Sequence, residues 1–381
     1  MGFPTTVERS PVGGVNCTCN MKIIGARSYG IEESARDYKG HGTHVASILA
    51  GNQVQRASFY GVAEGIARGD VPSTRLPVYK VCGKFQCVYN DMSSAFDDVI
   101  SDRVDIIAVS LRSSTEDVTS DPIAIGVFHA MQRGILTVQA AGNDGPSLYS
   151  STGDVPWIFS VAASNSDRKI VNKAILGDGT VLVGTSINSF PLNQEKIPIL
   201  YEKQVTNTCS ENDACYCLPR CLDNSLVRQK VVLCDIDSHV GLVKATGALG
   251  CILRDNANNV SNIGPLLVAA MNKNEMNYLV KSYQKSTKEP KVQTYRKFIS
   301  DIIEPDVTAH VVEILAAFSL MGSQSETFID ELPVKYSILS GTSMACPHVD
   351  AAAAFVKSFR PDWSPSAVEI RTHDHNLGDE C

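Results

Sequence analysis

The feature that most constrains the fold is an alternation of apolar, strand-like runs with helical patterns between residues 89 and 164. Apolar residues over Tyr89–Asp102 recur at helical spacing, and the almost uniformly apolar run VDIIAVSL follows directly. The same order repeats in the helix-like DPIAIGVFHAMQRG and the strand-like ILTVQAAGN and VPWIFSVAAS. Strands that alternate with helices are typical of a parallel sheet covered by helices on its faces. We therefore predict an α/β fold that binds ligands at the carboxyl ends of its strands.

Composition limits the classes of protein to which the chain can belong. Its 381 residues suffice for two or three domains, and 44% of them are hydrophobic, so a sizeable core is possible. No apolar run approaches the ~20 residues of a membrane span. The net charge is −7 and there is no basic block, which argues against nucleic acid as a partner. We expect neither a membrane nor a nucleic-acid partner, and the sequence gives no indication of oligomeric state.

The cysteines favour an oxidising compartment. There are twelve, and several stand in close pairs along the chain. The alternative, in a chain of this length, is that they are buried apolar residues. Two glycosylation sequons, Asn16-Cys-Thr and Asn259-Val-Ser, agree with secretion. The first twenty residues contain no basic end followed by an apolar stretch, so we expect an export signal to lie outside the chain as written.

A second unit is predicted between the two parts of the α/β domain. ILGDGTVLVGTSI predicts a hairpin around Asp178-Gly179, and VRQKVVLCDI, HVGLVKATGALGCILRDN and PLLVAAM predict strand, helix, strand and strand. We predict that residues 1–194 form the first part of the main domain. Residues 195–292 then form an inserted α+β unit, and residues 293–381 complete the main domain.

Three short stretches carry residue types suited to hydrolytic chemistry. His41 lies between two glycines at the start of a predicted helix, where a general base would have room for a substrate backbone. The alternative is a polar histidine in a helix-capping turn. Ser343, in GTSMA, precedes an Ala-rich helix whose N-terminus would favour negative charge beside a nucleophile. The alternative is a serine that only caps the helix.

The third stretch is AAGNDGP, which follows a predicted strand. The amide of Asn143 would lie at the carboxyl end of that strand and could donate to an oxyanion. The alternative is a turn without a role in chemistry. Together with Ser110, which ends the preceding strand, Asn143 would lie at the edge of the sheet where ligands bind.

Taken together, GHGTHVAS, AAGNDGP and SGTSMACPH resemble the motifs of the subtilases, the subtilisin-like serine proteases. The flanking text YGVAEGIARGDVPSTRLPVYKVC, SVAASNSDRKI and RPDWSPSAVEI is similar to the plant, cucumisin-like branch. The resemblance extends over about residues 17–370. It implies a subtilisin-like parallel sheet with flanking helices, interrupted by a small inserted protease-associated domain.

The resemblance also implies roles for individual residues. His41 would be the general base, Ser343 the nucleophile and Asn143 the oxyanion donor of an endopeptidase. Ser110 and Leu111 would form the edge that pairs with an extended polypeptide substrate. Nothing in the sequence indicates a metal or an organic cofactor, and the resemblance implies an extracellular protein of the apoplast or cell wall.

The family pattern further implies two disulfides. One joins Cys82 to Cys87, and the other joins Cys221 to Cys234 within the inserted domain.

Three departures from the family pattern bear on activity. Subtilases orient the catalytic histidine with an aspartate on a central strand. In the family, that strand lies upstream of the part to which this sequence corresponds, so we expect the chain as written to lack the aspartate. Asp37 is a poor substitute, because the family carries an acidic residue there as well. Arg112 replaces a glycine of the substrate edge, and Asp350 replaces a small residue in the nucleophile helix.

These departures leave three interpretations. The chain is an impaired serine endopeptidase, a catalytically dead protein that binds peptides, or an unstable gene fragment.

Overall fold

The computed structural model describes residues 19–30, 34–83, 86–112, 117–145, 147–148, 150–164, 168–185, 187–188, 196–205, 209–210, 216–234, 243–254, 263–264, 267–300, 309–322 and 334–373. The helices are α1 (His41–Ala50), α2 (Tyr89–Ser101), α3 (Pro122–Gln132), α4 (Asn224–Val227), α5 (Lys273–Tyr278), α6 (Gln284–Ser286), α7 (Thr342–Phe359) and α8 (Pro365–His373). A π-helical turn joins α5 to α6, and short 3-10 turns lie at Glu202–Gln204, Pro219–Cys221 and Lys244–Thr246.

The strands are β1 (Ile23–Ser28), β2 (Val54–Phe59), β3 (Val62–Ala67), β4 (Leu76–Lys80), β5 (Ile106–Val109), β6 (Leu136–Ala140), β7 (Phe159–Val161), β8 (Ala163–Ser164), β9 (Arg168–Leu176), β10 (Val181–Thr185), β11 (Ile187–Asn188), β12 (Ile197–Tyr201), β13 (Val231–Cys234), β14 (Gly250–Arg254), β15 (Ile263–Gly264), β16 (Leu267–Met271), β17 (Lys291–Ser300), β18 (Ala309–His310), β19 (Ile314–Ala317) and β20 (Tyr336–Leu339).

The candidate site lies on a parallel sheet of order β5-β6-β7. Every residue of β6 is buried, because α7 covers one face of the sheet while α2 and α3 cover the other. On the first face, Val138 packs against Ala345 of α7. On the second face, Val109 packs against Phe96 of α2 and Ile123 of α3. The predicted α/β architecture, a parallel sheet with flanking helices, is confirmed.

Local signals explain where α3 begins and how closely it approaches α2. The side chain of Asp121 accepts a hydrogen bond from the Ile123 N–H at 2.8 Å, and Pro122 occupies the first helical turn, where no donor is needed. A Cβ atom on Gly126 would lie 2.2 Å from the ring of Phe96. The glycine therefore allows the two helices to pack with the aromatic ring between them.

Strands β1 and β4 form a parallel pair of their own, separate from the parallel β5-β6-β7 sheet. Helix α2 ties the β1-β4 pair to the rest of the domain. Arg27 of β1 forms ion pairs at 3.0 Å with both Asp98 and Asp102 at the end of α2, and Tyr79 of β4 donates to Asp102 at 2.6 Å. The second sheet therefore begins at β5 in the described part of the chain.

A closed barrel of order β10-β16-β14-β13-β12-β17-β9 forms the second unit. The predicted hairpin is confirmed as β9 and β10, whose turn contains Gly179 with φ +90° and is fastened by the Thr180 N–H on Asp178 at 2.9 Å. Strand β13 shows the two-residue period of a strand buried on both faces. Its Leu233 packs in one apolar cluster, whereas Cys234 packs in another.

The barrel extends beyond the predicted insert. Strands β9 and β10 precede residue 195. Strand β17 extends past residue 292 to Ser300 and pairs with β9 over Val292–Ser300. The divisions after residues 194 and 292 stay predictions about domain boundaries, and they do not coincide with the ends of the barrel.

The disulfides correct one predicted pairing. The predicted Cys82–Cys87 bridge is confirmed, whereas the predicted Cys221–Cys234 bridge is wrong. Cys234 pairs with Cys217, and Cys221 pairs with Cys209. The reason is the face of β13 on which Cys234 lies, since its side chain enters the apolar cluster that also contains Cys217.

Candidate active site

The N-terminus of α7 is held by Asn143, the residue predicted to serve the oxyanion. Asn143 Oδ1 accepts hydrogen bonds from the Thr342 N–H at 2.9 Å and the Thr342 hydroxyl at 3.1 Å. The Gly142 N–H donates in turn to the Thr342 hydroxyl at 3.2 Å. With Oδ1 occupied in this way, the Nδ2 group of Asn143 is the part of the side chain that can donate to a ligand.

Gly341 makes this close approach possible. Its φ is +141°, and a Cβ atom there would lie 3.1 Å from Asn143 Nδ2. The structure therefore explains why the first two residues of the sequence GTS are glycine and threonine. Glycine gives the backbone conformation and the space, and threonine joins the helix to the loop after β6.

Ser343 lies in the first turn of α7 and contacts the end of β5. The Ser110 hydroxyl donates to the Ser343 carbonyl at 3.0 Å, and the Ser343 hydroxyl donates to the Ser110 carbonyl at 3.4 Å. The next residue, Leu111, accepts a hydrogen bond through its carbonyl from Gln139 Nε2 at 3.2 Å. The structure thus brings Ser110, Leu111, Asn143 and Ser343 to one edge of the sheet.

His41 is the first residue of α1 and lies outside that hydrogen-bond network. Burial lowers its pKa, Asp37 opposes this by raising the pKa, and Lys39 adds to the lowering. The imidazole is therefore neutral at pH 7, the form that a base requires. Among the described residues, no hydrogen bond joins His41 to Ser343.

Helix α1 lies beside α7, because Ile48 of α1 packs with Met344 of α7. Gly40 sets the entry into α1 with φ +88°, and a Cβ atom there would lie 2.3 Å from the Phe318 ring. The convergence of His41 with Ser343 stays a prediction.

Asp37 serves as the cap of α1. Its Oδ1 accepts from the N–H groups of Lys39 at 3.0 Å and Gly40 at 2.8 Å. Its Oδ2 accepts from the Thr43 N–H at 2.8 Å and the Thr43 hydroxyl at 2.7 Å. Because both carboxylate oxygens are engaged with the helix start, Asp37 does not hydrogen-bond to the imidazole of His41 in the described structure.

His44, one turn further along α1, is a core residue. It is fully buried, and its Nε2 lies 3.1 Å from the Ile314 carbonyl and 3.2 Å from the Ser337 carbonyl. Burial lowers its pKa to about 4. A neutral histidine that donates to the backbone fastens α1 to the β19-β20 pair and takes no part in chemistry.

A buried thiol and a buried carboxyl lie beneath the site on α7. Cys346 Sγ donates to the Val138 carbonyl at 3.5 Å and to Asp350 Oδ2 at 3.4 Å. Asp350 is 1% exposed, and its Oδ1 has no hydrogen-bond partner among the described residues. Burial raises the pKa of both groups well above their usual values, so in both it favours the neutral form.

Sequence reasoning missed three of these contacts: the reciprocal Ser110–Ser343 bonds, the Gln139–Leu111 bond and an ion pair between Arg112 and Asp144. A polar glutamine inside the apolar run ILTVQAA was the available signal for the second. The ion pair left no signal, because it joins two loops far apart in sequence.

Two other kinds of site are absent from the described residues. No helix there combines the length and apolar character that a membrane crossing requires. No group of three or more His, Cys, Asp or Glu side chains there is placed to hold a metal ion.

Comparison with known proteins identifies the family. The sequence profile of the subtilase family matches residues 24–373. The chain is 46% identical over 386 aligned positions to Subtilisin-like protease SBT4.4 of Arabidopsis thaliana, covering 94% of this chain and 52% of that protein. It is 44% identical to Subtilisin-like protease SBT4.6 of the same plant, again covering 94% of this chain and 52% of that protein. The chain thus spans about half the length of the curated relatives that it matches.

Among solved structures, Sphericase superposes with a TM-score of 0.41 at 18% identity, covering 90% of this chain and 70% of that one. The assignment rests on the family profile and on the plant relatives. The chain belongs to the subtilase family.

Proposed function

We propose that the chain is a serine endopeptidase in which Ser343 attacks the carbonyl carbon of a peptide bond. The observation that carries this proposal is the network that links Ser110, Ser343, Thr342 and Asn143. Ser343 lies in the first turn of the long helix α7, directly after Thr342, which is bonded to Asn143. A helix N-terminus and an amide donor stabilise the negative oxygen that forms during attack.

His41 takes the proton of Ser343 in this mechanism and returns it to the leaving amine. Its lowered pKa keeps the ring unprotonated at neutral pH, as a base must be. The attack forms a bond between Ser343 Oγ and the carbonyl carbon, and the C–N bond then breaks to leave an acyl-enzyme. Water releases the acyl group by the same steps, with His41 again as base. Polypeptides are the substrates.

We further propose that the 381-residue chain turns over slowly, because no carboxylate among the described residues is hydrogen-bonded to His41. The aspartate in its vicinity, Asp37, is committed to four hydrogen bonds at the start of α1. Among the described residues, β4 and β5 lie in separate sheets, and no strand between them brings such a carboxylate. Without it, the imidazole loses its fixed tautomer and the imidazolium loses its partner.

A second function is favoured by one contact. The Ser343 hydroxyl donates to the Ser110 carbonyl, so in this state its proton is directed away from a base. A chain fixed in that state would bind peptides at the β5 edge without cleaving them. An unstable fragment is the third interpretation.

A serine-directed fluorophosphonate separates the first two functions. The purified chain is treated with the probe, and the labelled residue is identified by peptide mass spectrometry beside the Ser343→Ala variant. We expect label on Ser343 and none in the variant. An unlabelled chain that melts cooperatively would support the peptide-binding function, whereas the absence of a cooperative melt would support the unstable fragment.

The compartment and the insert belong to the same proposal. Three disulfides among the described residues agree with an oxidising, extracellular setting such as the plant apoplast. The closed barrel agrees with a protease-associated domain inserted between the Asn143 and Ser343 motifs.

A further inference from the structure

An ion pair joins the loop after β5 to the loop after β6. The guanidinium of Arg112 contacts the carboxylate of Asp144 through Nη1 and Oδ2. Arg112 is two residues beyond Ser110 at the end of β5, and Asp144 directly follows Asn143 beyond the end of β6. The pair therefore spans the two loops that flank the N-terminus of α7.

The backbone at both ends of the pair is fixed, whereas the side chains are free to separate. On one side, Gln139 holds the Leu111 carbonyl and Ser110 is bonded to Ser343. On the other, Asn143 is bonded to Thr342. The side chains of Arg112 and Asp144 are 50% and 56% exposed, so each can be hydrated if the other leaves. An exposed pair of this kind is weak and opens readily.

A peptide that binds between these two loops must part the two side chains. A neutral peptide leaves both charges without a partner. A basic side chain can pair with Asp144 but displaces Arg112 and lies near the positive end of the α7 dipole. An acidic side chain replaces Asp144 on Arg112, lies near the favourable end of that dipole and releases Asp144 to solvent. Guanidinium also binds carboxylate in a two-point geometry that few other side chains offer.

We propose that Arg112 is a specificity-determining residue that selects polypeptides with an Asp or Glu beside the candidate nucleophile, and that Asp144 is its internal competitor. The inference rests on the proposed function, since it takes Ser343 to mark the substrate cleft. It adds to that function a substrate class, acidic peptides, and a device that holds the cleft closed until such a peptide arrives.

Peptide binding tests this selection without requiring turnover. Three fluorescein-labelled peptides of one sequence, with Glu, Gln or Lys at a central position, are titrated against the Ser343→Ala variant by fluorescence anisotropy. We expect the Glu peptide to bind about two- to fivefold more tightly than the Gln peptide at low salt, the range that a single exposed charge pair supplies. The ratio should fall towards one at about 0.5 M salt, because ions screen the pair.

Two variants and one control assign the effect. In the Ser343→Ala background, Arg112→Ala should abolish the Glu preference, whereas Asp144→Asn should increase it by removing the competitor. Arg133→Ala is the control: Arg133 is exposed and precedes β6, at the end of that strand opposite to Asn143. It should leave the Glu-to-Gln ratio unchanged.

Three outcomes would overturn the inference: equal affinities for Glu and Gln, a Glu preference that survives Arg112→Ala, or tighter binding of Lys than of Gln that requires Asp144. The proposed function is tested separately, by labelling of Ser343 in the wild-type chain with an uncharged fluorophosphonate. Failure of that labelling with a Glu preference intact would refute the peptidase alone, whereas labelling without the preference would refute the selection alone.

Discussion

The buried carboxyl of Asp350 gives the sharpest stability prediction, for the variant Asp350→Ala. The side chain is 1% exposed, and among the described residues its Oδ1 lacks a hydrogen-bond partner while Oδ2 accepts from the weakly donating thiol of Cys346. Burial raises the pKa of this carboxyl well above its usual range, so the folded chain keeps the proton to a higher pH than the unfolded chain does. The unfolded chain, with an ordinary carboxyl pKa near ~4, loses the proton instead.

The direction in which stability changes with pH follows from this difference in pKa between the folded and the unfolded chain. Below the unfolded pKa both states carry the proton, and Asp350 adds no pH dependence. As the pH rises above it, the folded state holds one more proton than the unfolded state, so stability is lost by up to about 1.4 kcal/mol per pH unit until the folded pKa is reached. Replacing the carboxyl with a methyl group removes that slope, while any loss of packing stays the same at every pH.

Thermal melts of wild type and Asp350→Ala at pH 5, 6 and 7 measure the effect. The melting temperature of the variant relative to wild type should rise by roughly 1–3 °C per pH unit. Asp362→Ala, in the exposed turn after α7, is the control and should show no such trend. If the difference in melting temperature between wild type and Asp350→Ala were constant from pH 5 to pH 7, the reasoning would be refuted. The carboxyl would then be equally ionised in the folded and the unfolded chain.

Three further predictions concern the candidate site. Labelling of Ser343 by a fluorophosphonate should increase with pH to a plateau with a midpoint below 6.5, because burial lowers the pKa of His41; a midpoint well above 6.5 would contradict this. Asn143→Asp keeps the Oδ1 acceptor for Thr342 but loses the Nδ2 donor, so peptide turnover should fall about 10²–10³-fold with little loss of stability; unchanged turnover would exclude Asn143 as the oxyanion donor. Gly40→Ala should lower the melting temperature more than Gly61→Ala, because both have positive φ but only the former meets a ring, that of Phe318 at 2.3 Å; equal losses would show that the ring moves aside without cost.

The main domain was predictable because its signals are local. Each strand of the β5-β6-β7 sheet is an apolar run next to a helical pattern, and parallel pairing follows from the alternation. The short motifs around Asn143 and Ser343 follow strands, so the topology alone brings them to one edge. The hairpin at Gly179 was equally readable, since Asp-Gly between apolar runs demands that turn.

The remainder depends on contacts between segments far apart in sequence. Strand β9 pairs with β17 across more than a hundred residues, so the sequence placed the hairpin outside the barrel that it joins. The cysteine pairing failed for the same reason: which cysteine faces Cys234 depends on the packing of β13. The ion pair between Arg112 and Asp144 depends on the backbone conformations of two loops, and the sequence of neither loop predicts its conformation.

The most direct test of the proposed mechanism is turnover of one fluorogenic peptide by the 381-residue chain beside a full-length plant relative, each normalised to the amount of serine that a fluorophosphonate labels. In a bacterial subtilisin, loss of the orienting aspartate alone lowers kcat by roughly 10⁴-fold. We predict that Ser343 is labelled and that turnover per labelled serine is at least ~10³-fold below that of the relative. Turnover within tenfold of the relative, or a chain that folds without any labelling of Ser343, would contradict the account of Ser343 as a nucleophile served by an unsupported histidine.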